Sequence, residues 1–455
     1  MTKQAIVVGG GPVGCVLSVL LARHGWEVEI YERRPDLRQI EGAAGRSINL
    51  VLTARGLRAL EILGLKDQVL EITVPVYGRM MHSHDGELAY QPYGKDDREC
   101  NYSVSRGDLN RYLLDIAERE GVRVHFHHVV SEVDVHAGSF LATGPDGARR
   151  VRTPHLFGAD GAPSAVRGGM TAVEGFQESL DLLPDGYKEL LFPATPEGNY
   201  CMEVRALHIW PQGRHFLMGL PNQGGSFTGT LYLPLEGEVS FEQLTTPEAV
   251  QAFFTEHYPS ALPLLGDFVE PFLDSPTGIL GTVRCYPWHV GERTLLVGDA
   301  AHGIVPFYGQ GLNSGFEDCA VLHRLLESEQ PLAEAFASFC AERKPNTEAI
   351  ADMALENYVE MRDKVADPAF RLRKAVESRL EKAYPKLFRS RYAMVVYSSI
   401  PYADAQAAGR LHDEVLDELC QGLERPEDAD LERGRELIAA KLTPYYAERG
   451  ITLDF

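Results

Sequence analysis

The stretch QAIVVGGGPVGCVLSVLLARHGWEVEIYE, residues 4–32, decides the fold. Residues 4–8 form a short apolar run of strand length that ends on three glycines. CVLSVLLARHG then carries the apolar content of a buried helix, and WEVEIYE reads as a second strand. Strand, glycine turn, helix and strand within about thirty residues make one βαβ unit of the dinucleotide-binding kind. Gly9, Gly11 and Gly14 fall at G-x-G-x-x-G spacing. Glycine there permits the tight turn and lets a pyrophosphate approach the helix N-terminus, whose free amides favour an anion. Glu32 closes the second strand, 18 residues after Gly14. A carboxylate at that place accepts hydrogen bonds from an unphosphorylated ribose, which points to FAD or NAD rather than NADP. Val13 and Arg33 flank these positions and are counted with the cofactor contacts.

Bulk properties narrow the class. The chain has 455 residues, 44% hydrophobic and 24% charged, which is ordinary globular composition with room for two or three domains. The formal net charge of −21 argues against a nucleic-acid partner and means that an anionic ligand must be met by local arginines and amides. Seven dispersed cysteines without CxxC spacing read as reduced thiols, as in a cytoplasmic protein. The start MTKQAIVVGG lacks the apolar core of a signal peptide, and no stretch reaches the roughly 18 apolar residues of a membrane span. No metal site is expected: His127 and His128 are neighbours pointing to opposite faces of a strand, and no HExxH or Cys/His cluster exists. No GxSxG elbow supports a serine hydrolase.

Along the chain, residues 53–72 and 107–120 read as helices, 76–95 as a hairpin turning at Asp85-Gly86, and 122–157 as short strands turning at Ala137-Gly138 and Asp146-Gly147. Residues 199–234 read as three antiparallel strands, 294–298 as a returning strand, and 312–345, most of 346–383 and 403–450 as helices. RPEDADLERGRE, residues 425–436, reads as a solvated face.

Two further motifs follow. VGDAAHGIVPFYGQGLNSGFED, residues 297–318, sets Asp299 directly after a buried strand, then a Gly/Pro loop, then a helix beginning near Gly311. Asp299 can bind a ribityl hydroxyl of FAD, and the helix start at Gly311, Leu312 and Asn313 can offer amides to the electron-rich end of a flavin. His302 in the same motif reads as structural. FGADGAPSAVR, residues 157–167, places Asp160-Gly161 after a strand, with Arg167 following. Arg106 and Arg111 are further FAD candidates, each of which could equally be a surface helix charge.

In their order along the chain, GxGxxG, DG and GD, these motifs resemble the single-component FAD aromatic hydroxylases of p-hydroxybenzoate hydroxylase-like fold. Within that group the chain resembles the kynurenine 3-monooxygenase family. The likeness is carried by GRSINL (45–50), GRMMHS (78–83), QPYG (91–94), DGYKEL (185–190), ALHIWP (206–211), GLPN (219–222), SFTGTL (226–231), GDAAH (298–302), PFYGQGLN (306–313) and ALENYVEMR (354–362), and it spans about residues 4–405. It implies an α/β fold: a Rossmann-like FAD-binding domain of residues 1–75, 101–180 and 281–345, an interleaved antiparallel-sheet substrate domain of 76–100 and 181–280, and a C-terminal helical region, 346–455, closing the substrate site. It implies tightly but non-covalently bound FAD, NADPH as a transient co-substrate, dioxygen, and hydroxylation of L-kynurenine to 3-hydroxykynurenine through a flavin C4a-hydroperoxide.

The resemblance also assigns the substrate site. Asn357 sits mid-helix in ADMALENYVEMR, where an amide is a mediocre helix former. By resemblance, Asn357 and Tyr402 hydrogen-bond the amino-acid end of the substrate, Arg79 pairs with its carboxylate and Tyr93 assists. A guanidinium–carboxylate pair is also what a zwitterion entering an acidic protein requires. Ile209, Leu220, Phe227, Pro306 and Phe307 match the apolar pocket, and Pro306, Phe307 and Tyr308 lie beside the flavin. Tyr308 departs from the Phe or His the family often carries there. No catalytic base is expected, because the aniline nitrogen already donates electron density to the ring. The chain end KLTPYYAERGITLDF lacks the hydrophobic extension of animal relatives, so a soluble cytoplasmic protein, with no membrane partner and a homodimer as its possible assembly, is expected. Three other readings stand beside this one: a hydroxylase of phenols or anthranilates, a flavin-binding regulatory protein without turnover, and a membrane-attached epoxidase, which that chain end disfavours.

Overall fold

Four strands, Gln4–Val8, Glu27–Tyr31, His155–Gly158 and Thr294–Leu296, stack side by side and bury their apolar side chains. In the computed structural model, which describes residues 3–40, 49–364 and 367–453, they lie at the centre of a six-stranded sheet. Its order is His289–Val290, Thr294–Leu296, His155–Gly158, Gln4–Val8, Glu27–Tyr31, Arg123–His125, parallel except for the first pair. The helix Pro12–Arg23 is buried along nearly its whole length between this sheet and the helices Arg106–Arg119 and Gly311–Glu327. The GRSINL segment lies outside the described residues apart from Asn49 and Leu50.

A second, seven-stranded sheet runs Gly278–Tyr286, Gln177–Phe192, Phe227–Pro234, His215–Pro221, Ala206–Gln212, Gly78–His82, Leu88–Pro92. Only the contact of Ala206–Gln212 with Gly78–His82 is parallel. The hairpin and the three strands within 199–234 stand as the pattern predicts, although the first of those three begins only at Ala206. Sequence periodicity does not disclose the 16-residue strand Gln177–Phe192. Its Pro184-Asp185-Gly186 reads as a turn, and the chain absorbs it as an irregularity in register between Leu182 and Gly186.

This sheet separates two cores. Phe192, Trp210, Leu217, Phe227 and Leu231 face one of them, beneath the helices Pro247–His257 and Val269–Asp274. Ile209, Phe216 and Tyr232 face the other, against the C-terminal helices. The predicted helix 53–72 is two helices, Ala54–Ile62 and Lys66–Leu70, interrupted at Gly64, whose φ is +59°. The stretch 312–345 divides at residues 328–331, where Glu329 has a positive φ and Pro331 caps the next helix; that helix, Leu332–Val359, runs through Pro345 and on into a π-turn at Glu360–Lys364. The tail folds as helices Tyr402–Cys420 and Leu431–Arg449, and the 425–436 run is mostly exposed, with surface ion pairs such as Arg435–Glu432. Among the described residues no helix is long and apolar enough to cross a membrane, and no group of side chains could hold a metal ion.

Candidate active site

The glycine turn leads into the helix Pro12–Arg23. Gly9 has φ +104°, and a Cβ there would overlap the Ala159 carbonyl. A Cβ on Gly14 would overlap the Gly9 carbonyl. Gly11 differs: nothing stands within 4 Å of the place its Cβ would take. Gly9 and Gly14 therefore let the protein pack, and Gly11 leaves space beside the helix N-terminus. Glu32 accepts from the Gly10 amide at 2.7 Å and from the Arg34 amide at 2.8 Å, which fixes the carboxylate at the rim. Gly10, Gly11, Glu32, Arg34 and Asn110 line one recess. Asn110 Oδ1 is buried there without a hydrogen-bond partner. Arg106 is exposed, has no acidic partner among the described residues, and acts electrostatically on both Arg34 and Asp299. Arg33 is exposed next to Arg34.

The GD turn follows the central strand Thr294–Leu296. Solvent reaches Asp299, yet protein crowds it; that desolvation raises its carboxyl, against the pull of His302 and Arg106. Val13 packs under this turn, against Gly298 and Gly315. The helix Gly311–Glu327 starts without a side-chain cap, so its first-turn amides remain open. Asn313 works as a brace: its Oδ1 accepts from the Thr53 amide at 2.9 Å, and its Nδ2 donates to the Val51 and Gly309 carbonyls at 2.8 and 2.9 Å. A glycine cradle, an orphaned amide oxygen, an arginine without an acidic partner among the described residues and an open helix start fit a dinucleotide carrying a flavin.

A buried charge network lies behind the GD turn. Asp318 accepts from the Gly298 amide at 2.8 Å and meets His302 Nε2 at 2.7 Å, the structural place expected for His302. Arg343 Nε donates to Asp318 Oδ1 at 2.7 Å, and its Nη1 pairs with Glu317. Arg55 Nη1 donates to Glu317 Oε1 at 2.6 Å. Burial raises Asp318, but His302 and Arg343 outweigh it and hold the carboxyl below its usual range. For Glu317, Arg343 and Arg55 likewise outweigh burial.

A second cluster forms around Arg79, on the strand Gly78–His82. Strand alternation puts Arg79 on the same sheet face as Met81, which packs with Ile209. Its guanidinium lies 5.3 Å from the Tyr93 ring and 5.9 Å from the Tyr392 ring. Its Nε is buried without a partner, and no carboxylate pairs with it among the described residues. Tyr93 stacks on Tyr392 at 5.8 Å, and Tyr308 stacks on Tyr392 at 5.9 Å. Burial raises all three phenols, so they stay neutral at pH 7. Asn101 Nδ2 donates to the Tyr392 hydroxyl at 3.1 Å, while Asn101 Oδ1 and the Tyr397 hydroxyl are buried and unpartnered. Ile209, Phe216 and Tyr232 continue the wall; Phe307 lies 5.3 Å from Tyr232 and 4.8 Å from Tyr358. Pro306, Phe307 and Tyr308 form a single 3-10 turn, and Asn357 Nδ2 donates to the Phe307 carbonyl at 2.6 Å. Asn357 thus holds the loop from the mid-helix position that its type made unusual.

Several expected residues stand elsewhere. Tyr402 is fully buried, and its hydroxyl donates to Gln310 Oε1 at 2.8 Å, so it is not part of the Arg79 cluster. Tyr392, which sequence reasoning did not single out, takes the place beside Tyr93. Phe227 belongs to the opposite sheet face, with Trp210 and Leu231, whereas Leu220 shares the parity of Phe216 and Met218. The Asp160 carboxylate caps the helix Ala165–Met170, accepting from the Ser164 hydroxyl at 2.5 Å and the Ala165 amide at 2.7 Å. Arg167 joins the DG and GD turns, donating to the Ala162 and Ala300 carbonyls at 2.6 and 3.0 Å. Arg111 is tied down by Asp108 and the Leu37 carbonyl.

Known proteins share this architecture. The FAD binding domain family matches residues 2–354. The chain is 49% identical to kynurenine 3-monooxygenase of Myxococcus xanthus over 447 residues, covering 97% of this chain and 96% of that protein. It is 43% identical to the enzyme of the same name from Stenotrophomonas maltophilia, covering 91% and 92%. Among solved structures, 2-methyl-3-hydroxypyridine-5-carboxylic acid oxygenase superposes with TM-score 0.66 at 21% identity, covering 81% of this chain and 94% of that one. p-Nitrophenol 4-monooxygenase from Pseudomonas putida gives 0.64 at 18% identity, covering 96% and 97%. These two likenesses bear on the fold, which is that of the FAD-dependent aromatic hydroxylases. With near-complete coverage by close relatives and an FAD binding domain matched over residues 2–354, the chain belongs to the kynurenine 3-monooxygenase family of FAD-binding flavoproteins.

Proposed function

We propose that the chain hydroxylates L-kynurenine at the ring carbon ortho to the aniline nitrogen, giving 3-hydroxykynurenine, with FAD as resident cofactor and NADPH and dioxygen as co-substrates. The observation that carries this reading is Arg79: a guanidinium with a buried, unpartnered Nε, ringed by neutral phenols at the rim of an apolar wall. Such a group wants a carboxylate on a ligand whose other end is aromatic and uncharged.

When bound, FAD supplies hydride acceptance and the activation of dioxygen. The chain's own residues do the rest. Gly11, Glu32, Arg34, Asn110 and Arg106 would hold the adenosine and pyrophosphate, on a turn that Gly9 and Gly14 let close; Asp299 and the amides of Gly311–Asn313 would hold the ribityl and ring end. Asp160 acts by shaping its turn. Arg79 takes the substrate carboxylate, with Tyr93 and Tyr392 flanking it. Ile209, Leu220 and Phe307 orient the ring and exclude water, which protects a reactive oxygen donor from side reactions. Asn357 holds the Phe307 loop. Residues 346–455 close the site over the two other domains. A soluble cytoplasmic homodimer completes the reading.

The test is NADPH oxidation by the FAD-loaded protein against a panel of L-kynurenine, anthranilate, p-hydroxybenzoate and p-nitrophenol. L-Kynurenine alone is expected to stimulate oxidation. Stimulation by a phenol or anthranilate instead would replace the substrate, and no stimulation by any compound would point to a flavin-binding protein without turnover.

A further inference from the structure

Tyr402 begins the helix Tyr402–Cys420, and its hydroxyl reaches Gln310 Oε1 at 2.8 Å across 92 residues of sequence. Gln310 is fully buried at the N-cap of the helix Gly311–Glu327, but its side chain does not cap that helix. It turns away instead, with Nε2 toward Thr53 Oγ1 at 3.4 Å and Oε1 toward Tyr402. Arg55 provides a second link. Its guanidinium lies 3.8 Å over the Tyr402 ring, donates to the Val395 carbonyl at 3.4 Å and to the Ile400 carbonyl, and pairs with Glu317 at 2.6 Å. Glu317 lies two turns along the helix that Gln310 begins. Residues 395–402 therefore grip that helix at its start and again at its middle.

We propose that Tyr402 is a positioning residue: through Gln310 it makes the geometry of the 306–311 loop depend on docking of the C-terminal helical region. The inference rests on the reading of residues 306–313 as the flavin-side loop. Any withdrawal of segment 395–402 strands Gln310 Oε1 in a dry interior, where an unpaired acceptor is costly. The loop and its open helix start then lose their fixed place, so closure over the substrate site and the grip on the flavin move together.

The test uses Tyr402→Phe, which keeps the ring under Arg55 and removes only the hydroxyl. Tyr446→Phe is the control, since Tyr446 meets His412 at 2.9 Å in the same helical region without reaching the loop. Three quantities are read: the FAD dissociation constant by flavin fluorescence, amide hydrogen exchange across residues 306–313, and the share of NADPH oxidation that yields hydrogen peroxide with L-kynurenine present. Tyr402→Phe is expected to raise the dissociation constant on the order of 10-fold, speed exchange in 306–313 and raise the peroxide share, whereas Tyr446→Phe lowers the melting temperature alone. In a Gln310→Leu background the Tyr402→Phe effects should vanish. A loss of melting temperature alone, or effects that add undiminished in the double variant, overturns the proposal. If the wild-type protein ignores L-kynurenine, the functional reading fails, while FAD affinity and amide exchange still decide the role of Tyr402.

Discussion

Arg79→Ala raises the KM for L-kynurenine by about 10²- to 10³-fold and leaves the FAD content of the purified protein unchanged. Truncating one member of a buried, hydrogen-bonded charge pair costs about 2–5 kcal/mol, and each 1.4 kcal/mol is about tenfold. Arg79 belongs in that class because its Nε is buried and no acid of the described residues satisfies it. Arg79→Lys keeps the charge but loses the planar fork, and is expected to fall between the two. Kynuramine, the analogue lacking the carboxylate, supplies an internal control, because it has nothing for Arg79 to hold. Its weak binding should be the same in Arg79→Ala and wild type. An unchanged KM for L-kynurenine in Arg79→Ala would remove the basis of the substrate assignment.

Gly11→Ala is expected to abolish flavin binding without harming the apoprotein. The added methyl meets no protein atom within 4 Å, and the backbone at Gly11, φ −71° and ψ 175°, suits alanine as well as glycine. It does stand where a pyrophosphate must come close to the helix N-terminus. The variant should purify colourless, with an apoprotein melting temperature equal to wild type and FAD affinity reduced by more than about 10²-fold. Gly14→Ala makes the contrast. Its methyl would collide with the Gly9 carbonyl, so both stability and flavin binding should fall. Wild-type FAD affinity in Gly11→Ala would mean that the cofactor path does not pass this turn.

The two variants also mark what could be read from sequence. The strand, glycine turn, helix and second strand were legible because the signals are local: an apolar run, three glycines, and an acid at a fixed distance. The hairpin at 76–95 was legible for the same reason, with Asp85-Gly86 at its tip. Side-chain facing was harder. Phe227 and Leu220 both look like pocket residues, but a strand presents alternate residues to opposite faces. The in-register pairings of Phe227 with Phe192 and of Leu220 with Thr228 show which face each takes. Gln177–Phe192 hid behind Pro184-Asp185-Gly186, a turn signal that neighbouring strands override.

The nearness of Arg79 to Tyr93 was legible where one residue type had few other uses. Arg79 and Tyr93 stand together, and Asn357 reaches the Pro306–Tyr308 turn through the Phe307 carbonyl. Tyr392 and Tyr402 show the limit. Both are tyrosines of the C-terminal region, ten residues apart, and nothing local separates them. Tyr392 meets Tyr93 and Tyr402 meets Gln310 only because the helix Arg391–Val396 and the helix after it dock on different parts of the flavoprotein body. Asp160 illustrates a second limit: an acid in a conspicuous motif can spend its carboxylate on capping its own helix.

The most direct test of the account is a single turnover of FAD-loaded, NADPH-reduced protein with L-kynurenine under isotopically labelled dioxygen, with the product identified by mass and retention. The expected product is 3-hydroxykynurenine carrying one labelled oxygen on the ring, at the carbon beside the aniline nitrogen. Oxidation of the flavin with only hydrogen peroxide formed and L-kynurenine recovered intact would contradict it.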